Sequence, residues 1–128
     1  MLHGFHITAK IESIGSTTEI DTDEKRMNVM NRVISRLNSL LGSEGVELII
    51  DTFDIDTNVK KMDYLNKIYA AIEIFTSNVE RISTTNEIDD DVKLMAILNG
   101  IISTVNELGK FFNSNAIMCR VNITFFQC

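Results

Sequence analysis

Phe5, Ile7, Ala9 and Ile11 alternate with His6, Thr8, Lys10 and Glu12 near one end of the chain. Near the other, Ile117, Cys119, Val121, Ile123 and Phe125 alternate with Met118, Arg120, Asn122 and Thr124. A spacing of two puts each set on one face of a strand. Two isolated strands are marginal in water, so these segments are expected to pair with each other or with a further strand. Between them the chain reads mainly as helix. The expected fold class is therefore α+β. A small antiparallel or mixed sheet forms from the N- and C-terminal strands, covered by three amphipathic helices, in one compact domain over 1–128.

The helices follow from apolar residues at steps of three and four. Met27, Met30, Ile34, Leu37 and Leu41 make the first stripe, begun by Asp21 or Thr22 as a cap and stopped by Gly42. Met62, Leu65, Tyr69, Ile72, Phe75, Val79 and Ile82 make the second. The third begins at Asp89–Asp91, where acids complement the helix dipole, and runs to Phe112. Asn113–Asn115 then return the chain to strand, and the last two helices are read as an antiparallel hairpin. Residues 46–55 fit either a short helix or a third strand with a bend or bulge, and their dense β-branched side chains favour the strand. The helix stripes share a spacing but not residue identities, so no internal duplication is assigned.

Acidic residues number 18 against 12 Lys and Arg, a formal net charge of -6. Phosphate backbones repel such a chain unless its bases cluster, and Lys25, Arg26, Arg32 and Arg36 lie among acids and asparagines. Direct nucleic-acid binding is not expected. Met1–Gly4 carry no charged leader, and no apolar run reaches bilayer-spanning length. A cytoplasmic protein without membrane association is expected. On one extended strand Cys119 and Cys128 would stand too far apart for a disulfide.

No catalytic motif emerges. Serine lies in no G-x-S-x-G, and phosphate and dinucleotide loops are missing. His3, His6 and Cys119 lack metal-ligand spacing, so neither a metal nor another cofactor is expected. Asp54-Ile55-Asp56-Thr57-Asn58 resembles a calcium loop faintly, without its glycine or final glutamate. Three acidic groups stand out: Glu19–Glu24, Asp51–Asp56 and Asp89–Asp91. Their ordinary role is capping and dipole stabilisation.

The leading functional reading is a small acidic protein that binds another protein noncovalently, as an inhibitor, immunity-type protein or adaptor. Its acids speed encounter with a basic partner, and apolar or aromatic anchors hold it. The partner-binding candidates are Asp89, Asp90, Asp91, Tyr64, Tyr69, Phe111 and Phe126. Two alternatives stay open. One is a homo-oligomer binding a small molecule in a polar cleft between subunits. The other is a divergent hydrolase using paired carboxylates. Pairing of the terminal strand between copies is a further route to a homo-oligomer.

Overall fold

The computed structural model describes residues 10–42 and 45–121, with 111–121 as backbone alone. It holds three α-helices: α1, Asp23–Leu41; α2, Asn58–Ile72; and α3, Asp91–Val121. Each is preceded by a short 3-10 helix: η1, Thr17–Ile20; η2, Thr52–Ile55; and η3, Thr85–Ile88. An extended strap, centred on 11–14, 46–49 and 79–82, leads into each of these.

Local chemistry explains each helix start. Thr22 and Thr57 accept from the N–H groups of Lys25 and Lys60, and Asp90 accepts from that of Lys93. These bonds satisfy donors that a helix start leaves free. The same three lysines reach back seven residues to the carbonyls of Thr18, Phe53 and Asn86, at 2.8–2.9 Å. Each also pairs with Asp21, Asp56 or Asp89 at 2.9 Å. One ammonium thus joins every 3-10 helix to its α-helix. Gly42 ends α1 at φ 76, a backbone region that suits glycine.

The expected sheet is not there: among the described residues there is no strand, and the fold is all-helical rather than α+β. The straps are extended, but asparagine side chains, not strands, take their backbone groups. The Asn31 carboxamide accepts from the Ile49 N–H and donates to the Ile49 carbonyl, at 2.8 and 2.9 Å. Asn38 brackets Val46 in the same way. Asn66 brackets Ile82, Asn99 brackets Ile14 and Asn106 brackets Ile11. A carboxamide offers both a donor and an acceptor, so it can stand in for a strand's peptide group. The spacing also fits. Two helical turns rise about 10.5 Å, and three extended residues span about 10 Å.

The third strand expected over 46–55 is instead a strap followed by η2. The Asp51 side chain accepts from the Phe53 N–H and turns the chain out of extension. The C-terminal strand is corrected over 117–121, which continue α3. No proline or glycine follows Gly109 to end that helix, and Asn113–Asn115 weaken it only by tenths of a kcal/mol each, roughly. Phe5–Ala9 and 122–125 of the expected strands lie outside the described residues. The second helix stops at Ile72, so Val79 and Ile82 belong to a strap. The antiparallel hairpin is also corrected. Arg26 in the first turn of α1 meets Asp91 at the start of α3, and Lys61 in the first turn of α2 meets Asp23 of α1. The three helices therefore bring their N-termini together and run in the same sense, and the straps carry the chain back.

This architecture is a threefold repeat with a period of about 34 residues, within the range of repeat proteins. Residues 11–31, 46–66 and 79–99 align without a gap. They share glutamate at 12, 47 and 80, isoleucine at 14, 49 and 82, and threonine at 17, 52 and 85. They also share Ile20, Ile55 and Ile88, Asp21, Asp56 and Asp89, Lys25, Lys60 and Lys93, Met27, Met62 and Met95, and Asn31, Asn66 and Asn99. The reading without duplication is thereby overturned. Strap two lies on α1, strap three on α2, and strap one on α3, so the third unit closes back on the first.

The core follows the same order. Ile20, Ile55 and Ile88 are buried, as are Met30, Leu65 and Leu98, and Leu37, Ile72 and Val105. Each such side chain contributes about 1.5–3 kcal/mol of transfer free energy. Symmetry breaks where the helix starts converge. There Arg26, Lys61 and Leu94 occupy equivalent positions. Arg26 pairs with Asp23 and Asp91, and the buried Lys61 lies 3.5 Å from Asp23.

Candidate functional site

Each strap and the helix it leads into enclose a shallow groove. In the first unit its walls include Lys10, Ile11 and Glu12 on the strap and Arg32, Ser35, Arg36 and Ser39 on α1. The equivalent groove of the second unit has Gly45, Val46 and Glu47 facing Lys67, Ala70, Ala71 and Ile74. In the third, Val79 and Glu80 face Gly100 and Thr104. One backbone frame therefore presents three different surfaces.

The second unit is the apolar one. Leu48, Ile50 and Phe53 are 48%, 88% and 69% exposed. Their counterparts are Ser13, Gly15 and Thr18 in the first unit and Arg81, Ser83 and Asn86 in the third. Leu48 and Ile50 line a further groove with Ser35 and Asn38 of α1. Phe53 stands on η2, where its carbonyl holds Lys60 while its ring faces outward. Glu47, Asp51 and Asp54 flank these residues in sequence, and Glu47 and Asp51 are exposed. Burial, and then the charges of Asp54 and Glu47, push the Tyr64 phenol above its ordinary pKa. The acids therefore act on the same part of the surface. Tyr64 also carries the Lys67 ammonium over its ring, 4.7 Å from the centroid.

Glu12, Glu47 and Glu80 are identical in all three units and exposed, and no described residue hydrogen-bonds or ion-pairs with them. The shared isoleucines, methionines, aspartates, lysines and asparagines instead pack, pair or clamp within the fold.

The expected partner-binding residues are scattered. Asp89 pairs with Lys93, Asp90 caps α3 and Asp91 meets Arg26. All three acids thus have duties within the fold. Burial, and then the charge of Glu87, raise the pKa of Tyr69, which is half-buried on α2. Phe111 lies on α3, in the part described as backbone alone, and Phe126 lies outside the described residues. Leu48, Ile50 and Phe53 escaped the sequence reading because a strand would have buried some of them. Their signal was a broken phase: Val46, Ile49 and Ile55 are buried, and the apolar residues between them are not.

The described residues hold no group of three or more His, Cys, Asp or Glu side chains placed to ligate a metal ion. Among them, no helix is long and apolar enough to cross a membrane. Comparison with family models, with curated proteins and with solved structures finds no match for this chain.

Proposed function

We propose that this chain is a noncovalent protein-binding module that engages its partner through the second unit. The observation that carries the reading is the exposed set Leu48, Ile50 and Phe53, at positions that carry no apolar side chain in either other unit. The fold needs no apolar side chain there, since two units form the same turn without one. Exposed apolar groups with an acidic surround fit a partner segment bearing both apolar and basic side chains. The apolar anchors supply affinity, and the acids supply encounter rate and orientation. The net charge of -6 favours the same partner.

The test is affinity capture from the native cell with the wild-type chain and with the combined variant Leu48→Ser, Ile50→Ser and Phe53→Ser. A stoichiometric partner retained by the wild type, released by salt and lost with the variant supports the module. Equal capture of the same partner by both proteins removes this surface from the reading.

A further inference from the structure

Strap three is held differently from the other two, and the difference does not involve the apolar surface above. Asn31 and Asn38 hold strap two on α1, and Asn99 and Asn106 hold strap one on α3. On α2, Asn66 brackets Ile82, but Glu73 stands where the second asparagine belongs. The backbone there is suitable: Glu73 has φ -61 and ψ -18, and its N–H bonds to the Tyr69 carbonyl at 2.9 Å. The side chain is not. A carboxylate accepts and does not donate, so it cannot bracket a peptide unit. Both backbone groups of Ile11 and of Val46 are paired. Those of Val79 have no hydrogen-bond partner among the described residues.

An exposed latch takes the place of the missing clamp. Glu73 accepts from Nε and Nη2 of Arg81 at 2.9 and 2.8 Å. The fork is well formed, but both side chains meet water, where such pairs contribute little to stability. Packing is looser as well. Ile11 and Val46 are buried, whereas Val79 is half-buried. α2 stops at Ile72, while α1 runs on to Leu41, whose counterpart in the second unit is Thr76. Beside Val79 lies a groove of about 330 Å³, walled by Tyr69 and Ile72 of α2 and by Ile97, Gly100 and Thr104 of α3. A Cβ on Gly100 would meet nothing within 4 Å, so the α3 wall of this groove is open.

We propose that strap three is a gate in the ring: residues 78–82 lift from α2 as a unit, baring Tyr69 and Ile72, while straps one and two stay seated. The segment with fewer bonds and fewer buried contacts opens first. Its pivots are the turn before it, where Thr76 accepts from the Asn78 N–H, and the capped start of η3 at Thr84. The Glu73–Arg81 pair sets how often it lifts.

The test is native-state hydrogen exchange of the full chain, followed by NMR. The Ile14, Ile49 and Ile82 amides are matched reporters. Each donates to one asparagine carboxamide, at 2.7, 2.8 and 2.9 Å, and all three residues are buried. Protection at Ile82 is expected to fall below the other two by about tenfold or more. Arg81→Ala is expected to lower it about two- to fivefold further without moving Ile14 or Ile49. Glu73→Asn puts a carboxamide where Asn38 and Asn106 stand, and it is expected to raise Ile82 toward the others and to protect Val79. In a Tyr64→Phe background, acrylamide should quench Tyr69 fluorescence more in Arg81→Ala than without that change. Equal protection of the three amides in the wild type, or a loss in Arg81→Ala shared by all three, overturns the gate.

Discussion

The side chain of Asn99 brackets the backbone of Ile14, accepting from its N–H at 2.7 Å and donating to its carbonyl at 3.0 Å. These residues are separated by most of the chain, and their contact joins the third unit to the first. A net hydrogen bond contributes about 0.5–1.5 kcal/mol, and leaving its partner unsatisfied costs more. Asn99→Ala is therefore expected to lower stability by about 2–3 kcal/mol. Denaturant unfolding measures the loss, and hydrogen exchange should place it first at the Ile14 amide. Asn99→Asp keeps the acceptor but loses the donor, and it should destabilise as well. Full protection of Ile14 in both variants would count against the clamp.

Ile20, Ile55 and Ile88 occupy one position in three units, all at 2% exposure or less. Replacing any one by alanine is expected to cost about 2–5 kcal/mol, with the three values close together. Equilibrium unfolding of the single variants tests this. A large spread would mean that the three sites relax differently despite their shared frame.

Arg26 and Lys61 make opposite predictions. Lys61 is buried beside Asp23, which Arg26 also holds, so Lys61→Leu leaves that carboxylate paired. It places leucine where the third unit has Leu94. Stability should stay level or rise by about 1 kcal/mol. Arg26→Leu takes the guanidinium from both Asp23 and Asp91 and should destabilise by about 2 kcal/mol or more, less what solvent screens at the half-exposed Asp91. Thermal unfolding of the two variants gives the comparison.

Acid should weaken the links at Asp21 and Glu73. The Lys25 and Arg81 side chains hold these carboxyls below their ordinary values of 3.8 and 4.5. A depressed pKa stabilises the fold above the unfolded value, and that contribution fades as pH falls through the folded one. Stability should thus decline below about pH 4.5, and Glu73→Gln should flatten part of that decline. Urea midpoints across pH 2–7 measure it.

The tyrosines titrate in the other direction. Both phenols are raised above 10.0, chiefly by burial, so the folded chain favours their neutral form. Their contribution is whole below the unfolded value and is lost as pH rises through the folded one. In a Tyr69→Phe background, ultraviolet titration reports Tyr64 alone. Adding Glu47→Gln and Asp54→Asn should lower its midpoint. An unmoved midpoint would separate those acids from Tyr64 and weaken the acidic surround proposed for the binding surface.

Much of the helical structure was legible. The Thr22 cap, the Gly42 stop and the start of α3 near Asp91 all stand where spacing and capping chemistry put them. The straps were misread for a physical reason: extended backbone is the same whether a strand or an asparagine pairs with it. Ile11 and Ile14 are buried and Glu12 and Ser13 are exposed, a pattern set by two clamps on α3 rather than by a pleat. The repeat was visible but sat in the wrong place for a search of helix stripes. Its identities, such as Thr17, Thr52 and Thr85, are concentrated in the connections. The apolar surface at Leu48, Ile50 and Phe53 was hidden because hydrophobicity cannot tell an exposed turn from a buried strand.

Local order belongs to the chain itself. Caps, helix phases and the recurring Asp–Lys pairs are set by neighbours a few residues apart, where steric and hydrogen-bonding preferences act without help from distant segments. Only tertiary structure decided that the straps lie on helices, that unit three meets unit one, and which apolar side chains remain in water. Those outcomes depend on contacts such as Asn99 with Ile14, whose partners become neighbours only when the whole ring closes.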